Sequence, residues 1–351
     1  MLVEENVDIQ RAIDLLSRFG HLQLEEAEAV MNQIMTGGAT EAQIGAYLMA
    51  LRMKGETQDE ITGSARAMRA NAQRVPTKFD GELLDTCGTG GDKSGTFNIS
   101  TTVAFVAAGA GIPVAKHGNR AASSKCGSAD VLGELGVNLD LTPEQVGQCV
   151  DEIGIGFLFA PKLHPAMKYA IGPRRQLGVR TIFNILGPLT NPAGAQRQLM
   201  GVFAADLTAM LAHVLGALGS KSAFVVSGYG GLDELTTTGP NQVSYYKDGV
   251  VTSHELDPRD YGFQGANIAD LQGDDAPTNA AILRGILCGE VRDAKRDVVL
   301  LNAGAAIMAG GLVENMADGI KLAAEAIDSG AAAAKLNALV AYSQKFTAVS
   351  Q

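Results

Sequence analysis

The sequence has few of the features that mark membrane or secreted proteins. Its longest apolar stretch, Val103 to Ala115, is short and is broken by Pro113, so a membrane-spanning helix is not predicted. The first residues are acidic where a secretory signal would be basic. We therefore expect a soluble, cytoplasmic protein with no membrane partner.

Cysteine is also scarce, and its spacing carries no C-x-x-C pattern. Neither a zinc cluster nor a disulfide framework is indicated, so free thiols are expected. The four cysteines are Cys87, Cys126, Cys149 and Cys288.

Basic residues are outnumbered, since 28 Lys and Arg stand against 38 Asp and Glu, for a formal net charge of −10. Binding along a nucleic acid needs a basic surface that displaces counterions from many phosphates. No nucleic-acid partner is therefore expected. A small anion held in a local basic pocket is still compatible with this composition.

The chain is long enough, and at 46% apolar residues hydrophobic enough, for a large domain with a smaller one beside it. Residues 1–73 predict consecutive short helices, because apolar residues recur at helical spacing from Ile9 to Leu16. Thr57 and Glu60 have the spacing of a capping box. Proline and charge interrupt the pattern at residues 74–81, which predicts a domain boundary there.

Residues 74–351 alternate short apolar runs with helical stretches, which predicts an α/β domain with a central, mostly parallel sheet. Residues 244–256 instead predict a hairpin that turns at Asp248-Gly249. The alanine-rich last seventy or so residues have helical periodicity and should cover one face of the sheet. The predicted strands lie in ELLDTC, IPVAK, IGFLFA, QLMGVFA and SAFVVSG.

A glycine-rich stretch, GTGGDKSGTFNIS at residues 88–100, directly follows the first predicted strand. Glycines let backbone N–H groups converge on an anion, and a helix beginning near Asn98 would point its positive end there. A Walker A loop is excluded because Cys87 and Asp92 occupy its glycine positions, and Lys93 breaks the dinucleotide fingerprint. The alternative is that these glycines only form a tight turn.

The stretch KHGNRAASSKCGSAD, residues 116–130, follows the next strand. Both loops should therefore open on the same edge of the sheet. Lys116 and Arg120 supply charge, while serines supply hydroxyls, and phosphate groups are bound by such residues. The alternative is a flexible serine-glycine linker.

Two further segments carry candidate ligands. Asp233 and Glu234 are adjacent carboxylates in a predicted loop, where both could face Mg²⁺ bridging phosphate oxygens, although a solvent-exposed acidic pair is equally simple. Within residues 164–192, Arg174, Arg175 and Arg180 could grip a carboxylate, or could form a solvated basic helix face. NILGPLTNP in the same segment, with two prolines, predicts a rigid connection rather than a helix.

Four blocks, GTGGDKSGTFNIST, KHGNRAASSKCGSAD, RRQLGVRTIFNILGPLTNPA and GLDELT, stand in this order along the chain. Together they closely resemble the anthranilate phosphoribosyltransferase family, over almost the whole sequence. One departure is Gly133, where the family usually has glutamate. The resemblance implies a small helical domain, residues 1–73 completed by a returning segment near 164–190, and a large nucleoside phosphorylase-like α/β domain, residues 74–351. It also implies a homodimer joined through the small domain.

The implied reaction transfers the phosphoribosyl group of 5-phosphoribosyl 1-diphosphate to the amine of anthranilate in tryptophan biosynthesis, with Mg²⁺ as cofactor. No nucleophile is implied, so positioning and electrostatics would dominate. By matching motif position, Mg²⁺ would be held by Ser100, Asp233 and Glu234, and anthranilate by Asn119 and Arg174, with Gly88, His117, His164 and Gly178 nearby. The phosphoribosyl diphosphate site would comprise Gly88, Gly91, Asp92, Thr96, Asn98, Ile99, Ser100, Thr101, Lys116, His117, Gly118, Asn119, Arg120, Ala121, Ala122, Ser123, Ser124 and Ser128.

Two other functions remain as alternatives. A pyrimidine nucleoside phosphorylase shares this architecture and a similar glycine-serine loop, but its lysine-serine signature differs from KHGNR. A non-catalytic relative that binds nucleic acid would need a basic surface, which a pI near 5.0 disfavours.

Overall fold

The computed structural model describes residues 8–92, 94–121 and 125–347. Its described N-terminal part consists of the helices α1 (Ile9–Ser17), α2 (Leu24–Met35), α3 (Glu41–Lys54) and α4 (Gln58–Ala70). The predicted capping box begins α4: the Thr57 hydroxyl accepts from Glu60 N–H, and the Glu60 carboxylate accepts from Thr57 N–H at 2.8 Å. The helical N-terminal region expected from the sequence is confirmed.

The strands of the described residues form one sheet. They are β1 (Leu84–Asp85), β2 (Val114–Gly118), β3 (Ile155–Phe159), β4 (Arg197–Gly201), β5 (Ser222–Ser227), β6 (Asn241–Lys247) and β7 (Val250–Leu256). Their order is β3-β2-β1-β4-β5-β6-β7, parallel from β3 through β5 and antiparallel at the β6–β7 edge. Asp248 and Gly249 both have positive φ, as the tight hairpin between β6 and β7 requires. The predicted α/β class is therefore confirmed.

Eleven helices follow in the described residues beyond 98. They are α5 (Ile99–Gly109), α6 (Ser128–Glu134), α7 (Pro143–Ile153), α8 (Ala160–Leu163), α9 (Lys168–Leu177), α10 (Phe183–Leu186), α11 (Leu207–Ala217), α12 (Ala276–Leu287), α13 (Ala294–Ala309), α14 (Met316–Asp328) and α15 (Ala331–Gln344). The prediction of a non-helical connection at NILGPLTNP is wrong at its start, where α10 runs into a 3₁₀ turn, Gly187–Leu189. Pro188 is tolerated because it lies in the first turn, where its missing N–H would have no helical partner.

The sheet separates two hydrophobic cores. One face packs against α5 and α12–α15, as predicted for the alanine-rich C-terminal part, and the other shares a core with α1–α4, α11 and the returning helix α9. Alternate side chains of β4 and β5 serve the two sides. Leu199, Phe224 and Val226 face the first core, and Met200, Ala223 and Val225 face the second. The division into residues 1–73 with 164–190 and residues 74–351 stays a proposal.

Gly133 lies inside α6, where the family resemblance leads one to expect glutamate. A Cβ at this position would meet Leu139 Cδ1 at 3.6 Å, an ordinary contact. Space alone therefore does not require glycine here, and α6 forms despite the lower helix propensity of glycine. Among the described helices, none is long and apolar enough to cross a membrane.

Candidate active site

Three loops meet at the carboxyl edge of the parallel strands. We call them the glycine loop (described residues 86–92 and 94–98, after β1), the basic loop (described residues 119–121 and 125–127, after β2) and the acidic loop (228–240, after β5). Gly90 N–H donates to Asp233 Oδ2 at 2.5 Å, and Ser100 N–H donates to Glu234 Oε1 at 3.1 Å. The acidic pair, separated from the glycine loop by more than a hundred residues, is thus held directly against that loop and the start of α5.

Close backbone approach brings the acidic loop to this edge. A Cβ on Gly201, at the end of β4, would lie 1.6 Å from the carbonyl oxygen of Asp233. A Cβ on Gly88 would lie 3.1 Å from Asp233 Oδ2. Since no side chain fits at Gly201, glycine there is what allows the acidic pair to reach the glycine loop.

The carboxylates of Asp92, Asp233 and Glu234 form a cluster of mutually repelling charges. Burial, reinforced by the charge of Asp92, raises the pKa of Asp233. Burial, reinforced by Asp233, also raises the pKa of Glu234, while Lys116 opposes that rise. Asp92 Oδ2 lies 3.4 Å from Asp233 N. Oxygen ligands that repel one another in this way fit a hard divalent cation, whose charge would offset the repulsion.

Lys116 is buried at the centre of the site. Its Nζ donates to the carbonyl and hydroxyl oxygens of Thr86, both at 3.3 Å, and to Ser100 Oγ at 3.4 Å. It therefore lies between the glycine loop and the start of α5. A buried ammonium group at this point is suited to binding the oxygens of an anion.

Two adjoining cavities open between the loops, of about 560 and about 360 Å³. Gly91, Asn98, Ser100 and the acidic pair border both. The larger cavity is also lined by the predicted residues Asp92, Thr96 and Ile99. The smaller is also lined by the predicted residues Gly88, Thr101, Lys116, His117, Gly118, Asn119, Arg120, Ala121, Ser128 and Arg174.

The three arginines of the returning segment have different surroundings. Arg174 lines the smaller cavity, its guanidinium lies 5.1 Å from the centre of the Phe183 ring, and burial lowers its pKa. Within residues 8–92, 94–121 and 125–347, it has no hydrogen bond or ion pair with the protein. Arg175 is exposed, and Arg180 donates to the carbonyl of Gly91 and stacks on Phe203 at 4.0 Å. Of the three, Arg174 is therefore the one placed to bind an anion.

Arg120 lines the smaller cavity, but its charge is already engaged. Its Nη1 donates to Asp130 Oδ1 at 2.8 Å, and its guanidinium lies 5.7 Å from the Phe159 ring. Glycine at 127 permits this close loop, because a Cβ there would lie 2.3 Å from Ala121 N. Arg120 thus stabilises the basic loop through its ion pair with Asp130.

Two histidines pack together beside the smaller cavity. His117 Nδ1 lies 3.2 Å from the Gly187 carbonyl, which can only accept, so Nδ1 carries the proton. The ring of His164 lies 5.1 Å from that of His117, and neither Nε2 has a hydrogen-bond partner in the described part of the chain. Burial, with the His164 charge, lowers the pKa of His117 to about 3, and burial lowers that of His164 to about 4.

These shifts predict an acid-sensitive fold. A histidine whose folded pKa of about 4 lies below its ordinary value of 6.5 stabilises the protein above pH 6.5, and loses that contribution as the pH falls toward 4. We therefore expect the melting temperature to fall less in His164→Gln than in the wild type between pH 7 and pH 4.5. Calorimetry should show a difference of about 2 °C or more between the two falls. His254→Gln, at an exposed position, should behave like the wild type. An equal acid-induced fall in melting temperature in His164→Gln and in the wild type would contradict the assignment.

Some predicted residues lie away from the cavities. His164 lines neither cavity and contacts His117 from behind. Gly178 also lines neither, and ends α9 with a left-handed φ of 63°. Ala122, Ser123 and Ser124 lie outside the described residues.

One wall of the larger cavity was not predicted from the sequence. Gln272, Gly273, Asp274 and Asn279 line it, and Gly273 N–H donates to the Gly95 carbonyl at 2.9 Å. Asn279 Nδ2 donates to the Asn98 side chain at 3.0 Å. The stretch QGDDAP, which leads into the first turn of α12, was the available signal.

Asp85, Cys87 and His117 also bring potential metal-ligand atoms within 4.8 Å of one another. Both oxygens of Asp85, however, already accept hydrogen bonds, from His117 N–H at 3.1 Å and from Asn191 Nδ2 at 2.7 Å. All four cysteines are free thiols, as predicted. The arrangement around Asp85 is therefore a hydrogen-bond network.

Comparison of the chain with known proteins identifies the protein family to which it belongs. Residues 10–72 match the helical bundle domain of the glycosyl transferase family, and residues 80–333 match its a/b domain. The anthranilate phosphoribosyltransferase of Pelotomaculum thermopropionicum is 56% identical over 334 residues, which cover 95% of this chain and 96% of the relative. That of Moorella thermoacetica is 55% identical over 328 residues, covering 93% and 96%. The chain belongs to the anthranilate phosphoribosyltransferases.

Solved structures agree with this assignment. The crystal structure of anthranilate phosphoribosyltransferase from Thermus thermophilus has a TM-score of 0.90 and 43% identity, covering 95% of this chain and 99% of that one. The Saccharomyces cerevisiae enzyme in complex with phosphoribosyl diphosphate and Mg has a TM-score of 0.87 and 26% identity, covering 96% and 98%.

Proposed function

We propose that this protein transfers the phosphoribosyl group of 5-phosphoribosyl 1-diphosphate to the amine of anthranilate, releasing diphosphate, in tryptophan biosynthesis. The observation that carries the proposal is one cavity that joins a glycine loop and paired carboxylates on one side to Arg174, a cation without a protein anion in the described residues, on the other. A sugar that carries both a phosphate and a diphosphate, and a small aromatic carboxylate, match these two sides.

The proposal assigns each substrate to one part of the site. The glycine loop, Lys116 and the N-terminus of α5 would bind the phosphoribosyl diphosphate through backbone N–H groups and one ammonium. Arg174 would bind the anthranilate carboxylate, with Asn119 beside it. The aryl amine would then point toward C1 of the ribose. Holding the two reactants in this relative position would supply much of the rate enhancement expected for a group transfer.

Charge complementarity would supply the rest. As the bond from C1 to the diphosphate breaks, negative charge grows on the leaving group, and Lys116 and the loop N–H groups stabilise it more than they stabilise the ground state. Mg²⁺, bound by Ser100, Asp233 and Glu234, would add positive charge at the same place. The aryl amine is neutral at pH 7 and attacks without a strong base. The lowered pKa values keep His117 and His164 uncharged, so they do not repel the forming oxocarbenium-like sugar.

Mg²⁺ as the cofactor is supported by the carboxylate cluster and by the yeast relative's complex with Mg. A homodimer is supported by an apolar patch on the helical part. Phe19 and Met53 are 64% and 71% exposed, and a 3.0 Å contact between Lys54 Nζ and His21 Nδ1 brings their segments together. Sedimentation would distinguish a 36.5 kDa monomer from a dimer. The cytoplasmic location expected from the sequence stays a prediction.

The direct test follows the loss of anthranilate fluorescence on mixing with phosphoribosyl diphosphate and Mg²⁺. The proposal expects turnover that requires all three components. Turnover of a pyrimidine nucleoside with free phosphate, and none of anthranilate, would replace this function by the phosphorylase alternative.

Gly91→Val should weaken binding of phosphoribosyl diphosphate. Gly91 has a φ of 78°, where a β-branched residue costs about 1 kcal/mol or more, so the loop must change shape to accept valine. Calorimetry in the presence of Mg²⁺ should show an affinity lower by about fivefold or more. Gly219→Val carries the same strain at a φ of 92° just after α11 and should leave this affinity unchanged. Unchanged affinity in a folded Gly91→Val protein would place the phosphate site elsewhere.

A further inference from the structure

The short strand β1 ends before its neighbour β2 does. In the parallel register of these strands, Leu84 pairs with Val114. Continued by two residues, that register would place Thr86 opposite Lys116. Strand β1 nevertheless ends at Asp85, while β2 continues to Gly118. The chain leaves the sheet at this point to form the glycine loop.

This early end leaves two backbone groups of β2 without a strand partner. In a parallel ladder, the residue opposite Lys116 would accept from His117 N–H and donate to the Ala115 carbonyl. Thr86 does neither: its hydroxyl donates to the Ser100 carbonyl at 2.9 Å, and its own carbonyl accepts from Lys116. Buried backbone groups left unpaired would be costly, so something else must take the place of Thr86.

Two side chains do so. Asp85 Oδ1 accepts from His117 N–H at 3.1 Å, and Asn191 Nδ2 donates to the Ala115 carbonyl at 2.8 Å. The pair is joined by a 2.7 Å hydrogen bond from Asn191 Nδ2 to Asp85 Oδ2. Asp85 is 0% and Asn191 5% exposed. Together they offer β2 one acceptor and one donor, the two groups that a single strand residue would supply.

We propose that Asp85 and Asn191 are positioning residues that replace the missing residue of β1 and thereby hold Lys116 and His117 in register while the glycine loop diverges. The assignment of Lys116 and His117 to the reacting centre rests on the proposed function. Asn191 belongs to the returning segment, so the pair also links that segment to the sheet. The link continues through the hydrogen bond between His117 Nδ1 and Gly187.

The two residues lie behind the reacting groups and line neither cavity. They therefore act on the reacting groups through the backbone of β2, and Asp85 also through the attraction between its charge and that of Lys116. A fixed backbone sets where Lys116 Nζ meets the glycine loop and where the His117 ring lies in the smaller cavity. Misplacing a charge-stabilising group by a fraction of its contact distance lowers the rate far more than it weakens ground-state binding.

The test is a kinetic comparison of isosteric variants. Asp85 accepts hydrogen bonds from two donors, His117 N–H and Asn191 Nδ2. In Asp85→Asn, the new amide N–H₂ faces one of these donors, so one hydrogen bond is lost. We expect kcat to fall about 10- to 100-fold, as for the loss of one charged hydrogen bond, and to fall more than either KM rises. The exchange Asp85→Asn with Asn191→Asp restores the 85–191 hydrogen bond and the net charge, but it puts a carboxylate oxygen where Asn191 Nδ2 lies 2.8 Å from the Ala115 carbonyl. Because β2 then loses its donor to Ala115, the exchange should not recover kcat over Asp85→Asn.

Glu60→Gln is the matched control. Glu60 is also 0% exposed, and it accepts backbone hydrogen bonds from Leu22 at 3.0 Å and from Thr57, within the helical part. Asp85→Asn and Glu60→Gln should both lower the melting temperature. At temperatures where the variant is folded, Glu60→Gln should keep the wild-type kcat. A wild-type kcat in folded Asp85→Asn, or an equal kcat loss in Glu60→Gln, would overturn the proposal.

A second measurement does not depend on turnover. With ¹⁵N-labelled histidine, the five histidine amides can be observed separately, and His117→Asn identifies the His117 signal. Asp85→Asn and Asn191→Ala should both shift this signal and speed its hydrogen exchange by about tenfold or more, because the N–H loses its partner or that partner's support. An unmoved His117 signal would overturn the pairing itself. Absence of wild-type turnover with an altered His117 signal would instead refute only the proposed function.

Discussion

Replacing Asp233 and Glu234 together with alanine should lower kcat/KM by about 10²-fold or more, in line with the loss of a preorganised charge-stabilising contact. The physical reason is that a protein of net charge −10 has few cations near the site with which to neutralise a diphosphate and a 5-phosphate. Lys116 is the one buried cation among the loops in the part of the chain that the structure describes, so we expect a divalent cation to contribute the rest. The measurement is steady-state turnover of anthranilate at ordinary Mg²⁺ concentration.

The same charge can be removed elsewhere as a control. Glu25→Ala with Glu26→Ala also deletes two adjacent carboxylates, from the first turn of α2, and should leave turnover unchanged. In the wild type, EDTA should abolish turnover and added Mg²⁺ should restore it. Full activity of the Asp233 and Glu234 double variant would remove the metal assignment.

Local signals explain why part of the fold is predictable. The capping box at Thr57 and the hairpin at Asp248-Gly249 form as expected because neighbouring residues determine them. The glycine loop is likewise predictable, since strand, glycines and helix start follow one another directly. Each of these features depends on residues that are close together in the sequence.

Features that depend on residues far apart in the chain could not be predicted from the sequence. Asp85 and Asn191 are 106 residues apart, and only the fold shows that one completes the other. The wall of the larger cavity near Asn279 reaches Asn98 across 181 residues. The three arginines of the returning segment are chemically equivalent in the sequence. Their partners distinguish them, because Arg180 contacts Gly91 while Arg174 contacts no protein acceptor among the described residues.

Arg174→Ala should raise the KM for anthranilate strongly and change that for phosphoribosyl diphosphate much less. Arg174 lies half-buried over Phe183 in the smaller cavity, and a guanidinium can grip a planar carboxylate through two parallel hydrogen bonds. Loss of one charged contact of this kind costs about 1.5–3 kcal/mol. Steady-state kinetics with each substrate varied in turn would measure the two effects separately.

Arg175→Ala is the matched control, because Arg175 is adjacent in sequence but exposed. It should leave both KM values near those of the wild type. Aniline, which lacks the carboxylate, tests the contact from the side of the substrate. The wild type should discriminate strongly against aniline, and Arg174→Ala should discriminate far less, because its cavity no longer holds a cation for the carboxylate. If both KM values rise equally, or if the discrimination against aniline is unchanged, Arg174 is structural and another residue binds the carboxylate.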